Sequence, residues 1–327
     1  MTQEVTFARP ELFSSGRNVM DCTEYLICSS LQTSGLPFHW LFSDSWGFVY
    51  RSLSDFSALP PGEAPPFWTN LEKLYGVRRI EHEGRSLKEL AEDIVLGRGS
   101  TIVLTGDIWH IPWSTICYRE THNNHDILIT AYNPASHELY VVDFVPEHAG
   151  WVDYEVVDAF FSGGAELNGR TYGFELTAPS LRADDETLFR QLNFARTKMA
   201  FAVKGLERMH GDLARERDCT RLVDAWWDPM RPIVAYRESF LEFVLFMQHL
   251  SLPGARALVQ AGTADTLASL ASKWFSLRNN LKKLQMKGAV PAEQIRSRLA
   301  PIIELEKRAL ADLTDLLGPE SVKEASL

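Results

Sequence analysis

Three residues in the first half of the chain have the types and the order that cysteine-based acyl chemistry needs. Cys22 stands at the predicted start of a helix, His125 precedes an apolar run at 127–132, and Asp143 ends a second run at 139–143. In such chemistry a thiolate attacks carbonyl carbon, an imidazole takes the thiol proton, and a carboxylate orients the imidazole. The order of the three residues therefore predicts a catalytic triad of Cys22, His125 and Asp143.

The helix that would carry the thiol is predicted over residues 21–35. Asp21 is a favoured N-cap residue, apolar residues follow at helical spacing, and Gly35 is a typical C-terminal stop. In the first turn, the unpaired backbone N–H groups and the helix dipole favour an anion, so a thiol there ionises more easily. This position favours Cys22 as a nucleophile, although an isolated cysteine is more often a small core residue. The other cysteines are expected to be unreactive: Cys28, Cys117 and Cys219.

The base and the acid of the triad are predicted to lie on a β-hairpin. Two apolar runs at 127–132 and 139–142 flank a turn at 133–138, which predicts two antiparallel strands. His125 and Asp143 would then lie at the same end of the hairpin. His122 is an alternative base, and we prefer His125 because the strand begins directly after it.

Further candidates follow an apolar run at 101–105 that predicts a buried strand. Asp107 lies just beyond this strand, where site residues are common, although strand ends also carry solvated aspartates. Trp109 and Trp113 could line a substrate pocket or fill the aromatic core.

The composition limits the class of protein. With 327 residues, 45% of them hydrophobic and 23% charged, the chain can bury a large core and form two domains. The four cysteines have neither the spacing of a metal site nor that of a disulfide framework, so we expect no bound metal. No apolar signal core and no run of 18 apolar residues is visible, which predicts a cytoplasmic protein without a membrane segment.

The charge is unevenly distributed. Residues 1–180 hold 11 Lys and Arg against 24 Asp and Glu, whereas residues 181–327 hold 22 against 19. The acidic first part argues against nucleic acid as a partner. The basic residues of the second part form either a solvated helix face or a docking surface for an acidic partner.

The periodicity of the sequence predicts an α+β fold with two domains. Short strands and helices alternate up to about residue 178, and a period of 3.6 then continues to the C-terminus. Among the predicted helices, one at 154–161 is closed by Gly163 and Gly164, and one at 233–250 follows Pro232, which suits a first-turn position. We therefore expect a catalytic domain with a small antiparallel sheet at 1–178 and an all-helical domain at 179–327.

The N-terminal region at 15–165 resembles the family of the butirosin biosynthesis protein H N-terminal domain, which is similar to bacteriocin-processing cysteine peptidases. The segments that carry the resemblance are DCTE at 21–24, GFVY at 47–50, GDIWHIPW at 106–113, HNNH at 122–125 and LYVVDF at 139–144. The resemblance implies a papain-like cysteine-protease-type fold. The rest of the chain looks like the helical extension that often follows this domain.

The resemblance also implies acyl transfer in natural-product biosynthesis, including antibiotic biosynthesis. Cys22 would take an acyl or aminoacyl group from the phosphopantetheine thioester of an acyl or peptidyl carrier protein and pass it to a small-molecule amine. His125 would deprotonate Cys22 and later the amine, and Asp143 would orient His125. The chain itself would need no cofactor.

Two residues depart from the pattern of the papain-like enzymes. These usually place a glutamine several residues before the cysteine as an oxyanion donor, whereas here the nearest amide side chain is Asn18. Either Asn18 takes this role or the backbone N–H of Cys22 acts with another group. Thr23 follows Cys22 where related peptidases favour glycine, which could change access to the thiol.

Two other functions agree with the same residues. A cysteine hydrolase or peptidase would use the triad with water as the acceptor, and a non-catalytic carrier-binding module would keep the fold without the chemistry. The pattern of the helical domain is compatible with homodimer formation, with covering the site and with binding the carrier protein.

Overall fold

The computed structural model describes residues 7, 9–14, 19–260 and 262–318. These residues form a mixed α+β structure with a largely helical C-terminal part. The predicted α+β class is therefore confirmed. The strands are β1 Val49–Ser52, β2 Asp55–Ser57, β3 Arg79–Glu83, β4 Ile102–Asp107, β5 Asn124–Asn133, β6 Glu138–Phe144, β7 Glu147–Asp153 and β8 Tyr172–Leu176. The helices are α1 Cys22–Thr33, α2 Pro66–Tyr75, α3 Leu87–Leu90, α4 Tyr154–Asn168, α5 Asp185–Leu213, α6 Val223–Met247, α7 Pro253–Gln260, α8 Thr263–Met286 and α9 Ala292–Leu317.

The chain divides into two compact units. One unit comprises the described residues of Met1–Glu11, Met20–Phe38 and Leu71–Leu181, and the other those of Leu12–Val19, His39–Asn70 and Arg182–Leu327. The structure thus groups 39–70 with the C-terminal helices, whereas the two-domain prediction assigned this segment to the N-terminal domain.

The first unit is built around a six-stranded antiparallel sheet of order β3-β8-β4-β5-β6-β7. Strands β5 and β6 form the predicted hairpin. Strand β4 pairs with β5 so that Gly106 lies opposite His125 and Asp107 lies opposite Asn124. The end of β4 and the start of β5 are therefore neighbours, and the candidate residues lie there.

The core of this sheet lies between its strands and α4. Alternate residues of the strands, such as Leu104, Ile127 and Val141, are fully buried and pack in one apolar cluster with Phe160 of α4. Helix α1 contacts β5 and β6. Because α1 buries Leu26 and other apolar side chains, this packing fixes the helix that begins at the candidate nucleophile.

Helix α4 extends beyond its predicted end. The sequence placed its end at Gly163 and Gly164, but both glycines lie inside the helix. A Cβ atom at Gly164 would lie only 2.6 Å from the Cα atom of Gly106 on β4. The glycines therefore allow a close approach between helix and sheet and do not end the helix.

The second unit consists mainly of α5–α9 with the small β1–β2 hairpin. Helix α6 packs on α8, and α9 packs on α5 and α8. The guanidinium of Arg237 is fully buried and donates to Oε1 of Glu306 at 2.9 and 3.0 Å and to the carbonyl of Gly47 at 2.8 Å. The hydrogen bonds to a carboxylate and to a backbone carbonyl compensate the buried guanidinium for its lost hydration.

The start of helix α6 differs from the prediction. Pro232 was expected in its first turn, yet the helix begins at Val223 and contains both Pro229 and Pro232. None of the helices in the described part of the chain has the combination of length and apolar character needed to cross a bilayer.

Candidate functional site

The first turn of α1 presents Cys22 at its N-terminal position. Asp21 caps the helix: its side chain accepts from the Glu24 N–H at 2.9 Å, and the Glu24 side chain accepts from the Asp21 N–H at 3.0 Å. This reciprocal capping leaves the N–H of Cys22 as one of the donors at a helix start that has no acceptor within the helix. The predicted helix start and its cap are therefore confirmed.

The second and third triad candidates are in direct contact. Nε2 of His125 lies 2.8 Å from Oδ2 of Asp143, and both side chains are buried. An ionised carboxylate can only accept a hydrogen bond, so Nε2 of His125 is the donor. The other ring nitrogen, Nδ1, is then free to take a proton.

Cys22 lies close enough to His125 to affect the charge state of the imidazole. Burial alone would lower the pKa of His125, but the hydrogen bond to Asp143 and the negative charges of Asp143 and Cys22 raise the pKa to about 10. The site thus favours an imidazolium at His125.

The Asp143 carboxylate is held by two more donors. The indole N–H of Trp113 donates to Oδ2 at 3.0 Å, and the backbone N–H of Val145 donates to Oδ1 at 3.0 Å. Trp113 also stacks on His148 with 4.2 Å between the ring centroids. The carboxylate that orients His125 is therefore fixed on both oxygens. Sequence reasoning placed Trp113 in a pocket or the core and did not identify this contact.

Thr23 connects the start of α1 to the sheet. Its hydroxyl donates to Oδ2 of Asp126, the residue after His125, and the hydroxyl of Thr105 donates to Oδ1 of the same carboxylate. Asp126 thus joins the helix that carries Cys22 to the two strands beside His125. The threonine that the sequence marked as a departure from the family pattern has a positioning contact here. Asp126 itself was not foreseen.

Among the described residues, the side chains of Asp107 and Trp109 have no hydrogen bond or ring contact with the triad, and they form a second cluster with His122. Oδ2 of Asp107 lies 2.6 Å from Nδ1 of His122, and Oδ1 accepts from the N–H groups of Trp109 and Asn123, each at 3.1 Å. The Trp109 ring stacks on His122 with 4.2 Å between centroids. The structure therefore pairs each candidate base with its own carboxylate, His125 with Asp143 and His122 with Asp107.

Three further predictions concern the oxyanion donor, the other cysteines and metal binding. Asn18, one of the two predicted oxyanion donors, lies outside the described residues. None of the four cysteines forms a disulfide bond, and Cys28 and Cys219 are buried. Burial with nearby acidic residues raises the pKa of Cys219 to about 11. Among the described residues, no three His, Cys, Asp or Glu side chains are grouped to hold a metal ion.

No protein-family model matches this chain, and a search of curated proteins gives no match. The resemblance stated from the sequence therefore depends on its short motifs alone. The geometry of the site is independent of those motifs.

Proposed function

We propose that this protein is a papain-like, cysteine-dependent acyltransferase of specialised metabolism. It would move an acyl or aminoacyl group from a carrier-protein thioester to an amine through an acyl-Cys22 intermediate. The observation that carries the proposal is the arrangement of three residues: Cys22 at a helix start, His125 close enough for Cys22 to raise its pKa, and buried Asp143 hydrogen-bonded to the imidazole.

The contacts support the acylation step. Nδ1 of His125 takes the Cys22 proton, and the thiolate attacks the thioester carbon to form a C–S bond. The oxyanion accepts from the Cys22 N–H, where the helix dipole favours negative charge. The intermediate then expels the carrier thiolate, which receives the proton from His125.

The contacts also support deacylation by the same groups. The amine nitrogen attacks the acyl carbon, the bond to the Cys22 sulfur breaks, and His125 moves a proton from the nitrogen to the sulfur. A thioester needs little acid assistance because a thiolate is a good leaving group. A peptide hydrolase with this site would have to protonate a poorer leaving group.

The test is intact-mass analysis after incubation with a panel of acyl N-acetylcysteamine thioesters, which imitate the end of a phosphopantetheine arm. We expect an adduct of one acyl group on the wild type and none on Cys22→Ala, and slower acylation of His125→Ala. Cys117→Ala is the matched control, because Cys117 is the other partly exposed thiol and should not matter. All variants are first checked for folding by thermal unfolding.

The later products separate the alternatives. Amide formation with an amine panel supports the transferase, whereas release of free acid with every amine would identify a hydrolase. A folded wild type that takes up no acyl group would refute the acyl-enzyme mechanism and favour a carrier-binding module. We also propose a reducing, cytoplasmic location, where such a thiol stays usable.

A further inference from the structure

A second histidine–carboxylate pair lies next to the triad and has no role in the mechanism above. The side chain of His122 is 56% exposed, whereas that of its partner Asp107 is 3% exposed. The buried carboxylate accepts from His122 and from two backbone N–H groups, and Trp109 covers one face of the imidazole. The ring is therefore held in a fixed orientation although it lies at the surface.

The proton of this ring is also fixed. His122 and two backbone hydrogen bonds outweigh burial and lower the pKa of Asp107, so its carboxylate is ionised and can only accept. Nδ1 of His122 must then carry a proton, and in the neutral ring the basic lone pair is on Nε2. Among the described residues, the structure records no hydrogen-bond partner for Nε2 of His122.

The position of this pair relative to the triad follows from the strand register. His125 lies opposite Gly106, and Asp107 is the next residue of β4. His122 precedes His125 by three residues, so their Cα atoms are at most about 11 Å apart along an extended chain. Both imidazoles therefore lie at the same end of the β4–β5 pair.

Transfer to an amine creates a task for a second base. A primary amine is mainly an ammonium ion at neutral pH, so it must lose two protons to become an amide. His125 and Cys22 retain one of them when the acyl–sulfur bond breaks. The other proton leaves for solvent, and it must leave before attack because an ammonium nitrogen has no lone pair.

We propose that His122, oriented by Asp107, removes the first proton from the ammonium form of the acceptor. This inference rests on the proposed transferase function. The ammonium gives one proton to Nε2 of His122, and the neutral amine then attacks acyl-Cys22 to form the amide. His125 passes the second proton to the Cys22 sulfur, and His122 releases its proton to solvent.

The test uses two acceptors that differ in charge. The enzyme is acylated with a thioester, freed of excess donor, and mixed with n-propylamine or hydroxylamine; loss of the acyl mass is followed by rapid-quench mass spectrometry. Propylamine is an ammonium ion at neutral pH, whereas hydroxylamine is neutral. In His122→Gln the amide can still donate to Asp107, but it cannot accept a proton.

We expect His122→Gln to slow transfer to propylamine by about 10-fold or more, in keeping with general base catalysis. Its acylation and its reaction with hydroxylamine should stay within about twofold of the wild type, because these steps need no ammonium deprotonation. Asp107→Asn should also slow transfer to propylamine relative to the reaction with hydroxylamine, by a smaller factor than His122→Gln.

The matched control is His137→Asn. His137 is also an exposed histidine, stacks on an aromatic ring (Tyr154) and faces a carboxylate of Glu155 at 3.6 Å, but it lies at the turn of the β5–β6 hairpin, away from the triad. Asparagine suits its positive φ of 58°. This variant should not distinguish the two acceptors.

Several results would overturn the inference. Equal slowing with both acceptors would mean that His122 only supports the structure, and equal rates for the wild type and His122→Gln with propylamine would mean that it takes no proton. If the wild type forms no acyl-Cys22, the proposed function fails before any acceptor is added. A normal acyl-enzyme without the propylamine defect rejects this inference alone.

Discussion

The raised pKa of His125 leads to a direct test of the triad. The value of about 10, against an ordinary 6.5, corresponds to about 5 kcal/mol in favour of the imidazolium. Burial opposes this preference, so Asp143 and Cys22 must supply it. In Asp143→Asn the hydrogen bond from Nε2 is retained, but the negative charge is removed. Because breaking a buried ion pair costs about 3–5 kcal/mol, we expect the pKa of His125 to fall by about 2 to 4 pH units.

The assay is an NMR titration of the histidine rings in ¹⁵N-histidine-labelled protein. The chain has nine histidines, so the signal of His125 is assigned by its loss in His125→Gln. We expect one ring to remain protonated up to about pH 10 in the wild type and to titrate at much lower pH in Asp143→Asn. A His125 ring that titrates near its ordinary value in the wild type, or equally in both proteins, would refute the reasoning.

The same protonation determines how stability depends on pH. The folded pKa lies above the unfolded one, so the folded protein holds a proton that the unfolded chain has lost between pH 6.5 and about 10. The stabilisation is complete below this window and disappears as pH rises through it, at up to about 1.4 kcal/mol per pH unit. In a Cys22→Ser background, which removes the titrating thiol, urea unfolding between pH 7 and 9 should therefore show a steeper loss with His125 present than with His125→Gln. Parallel slopes would contradict the shift.

Three other substitutions test the support of the site. Thr23→Val removes the hydroxyl bound to Asp126. It should lower the free energy of unfolding in urea by about 1–2 kcal/mol and slow acylation of Cys22. If Thr23→Val lowers this free energy equally in an Asp126→Asn background, the two side chains do not interact. Trp113→Phe keeps a ring for stacking but removes the N–H donor to the Asp143 carboxylate. Acylation of Cys22 should therefore slow by about 10-fold. An unaltered rate would show that this hydrogen bond does not contribute to acylation. Gly106→Ala places a Cβ atom 2.5 Å from Phe160 and should lower the free energy of unfolding by about 1–3 kcal/mol, whereas an unchanged melting temperature would show that α4 can move away.

Local signals were sufficient for the elements that carry the triad. The N-cap of Asp21, the stop at Gly35 and the apolar runs on both sides of the 133–138 turn predicted α1 and the β5–β6 hairpin. These signals depend on residues within one or two turns of each other, so the sequence shows them directly.

Elements without such local signals were missed. Strand β3 is mostly exposed and rich in charged residues, and β7 contains Gly150 and only one buried residue, Val152. Neither strand shows an alternation of apolar and polar residues. Each is a strand because it pairs with a neighbouring strand, and a local pattern in the sequence does not show that pairing. The start of α6 was misplaced for a related reason: two prolines in its first turns normally argue against a helix.

The sequence alone determined the types and order of Cys22, His125 and Asp143 and the elements on which they lie. Only the tertiary structure decided which side chains meet. It paired His125 with Asp143 and His122 with Asp107, and it joined Thr23 to a carboxylate more than 100 residues away. Periodicity and capping are properties of neighbouring residues, whereas these contacts depend on how α1 packs on the sheet and on the register of its strands.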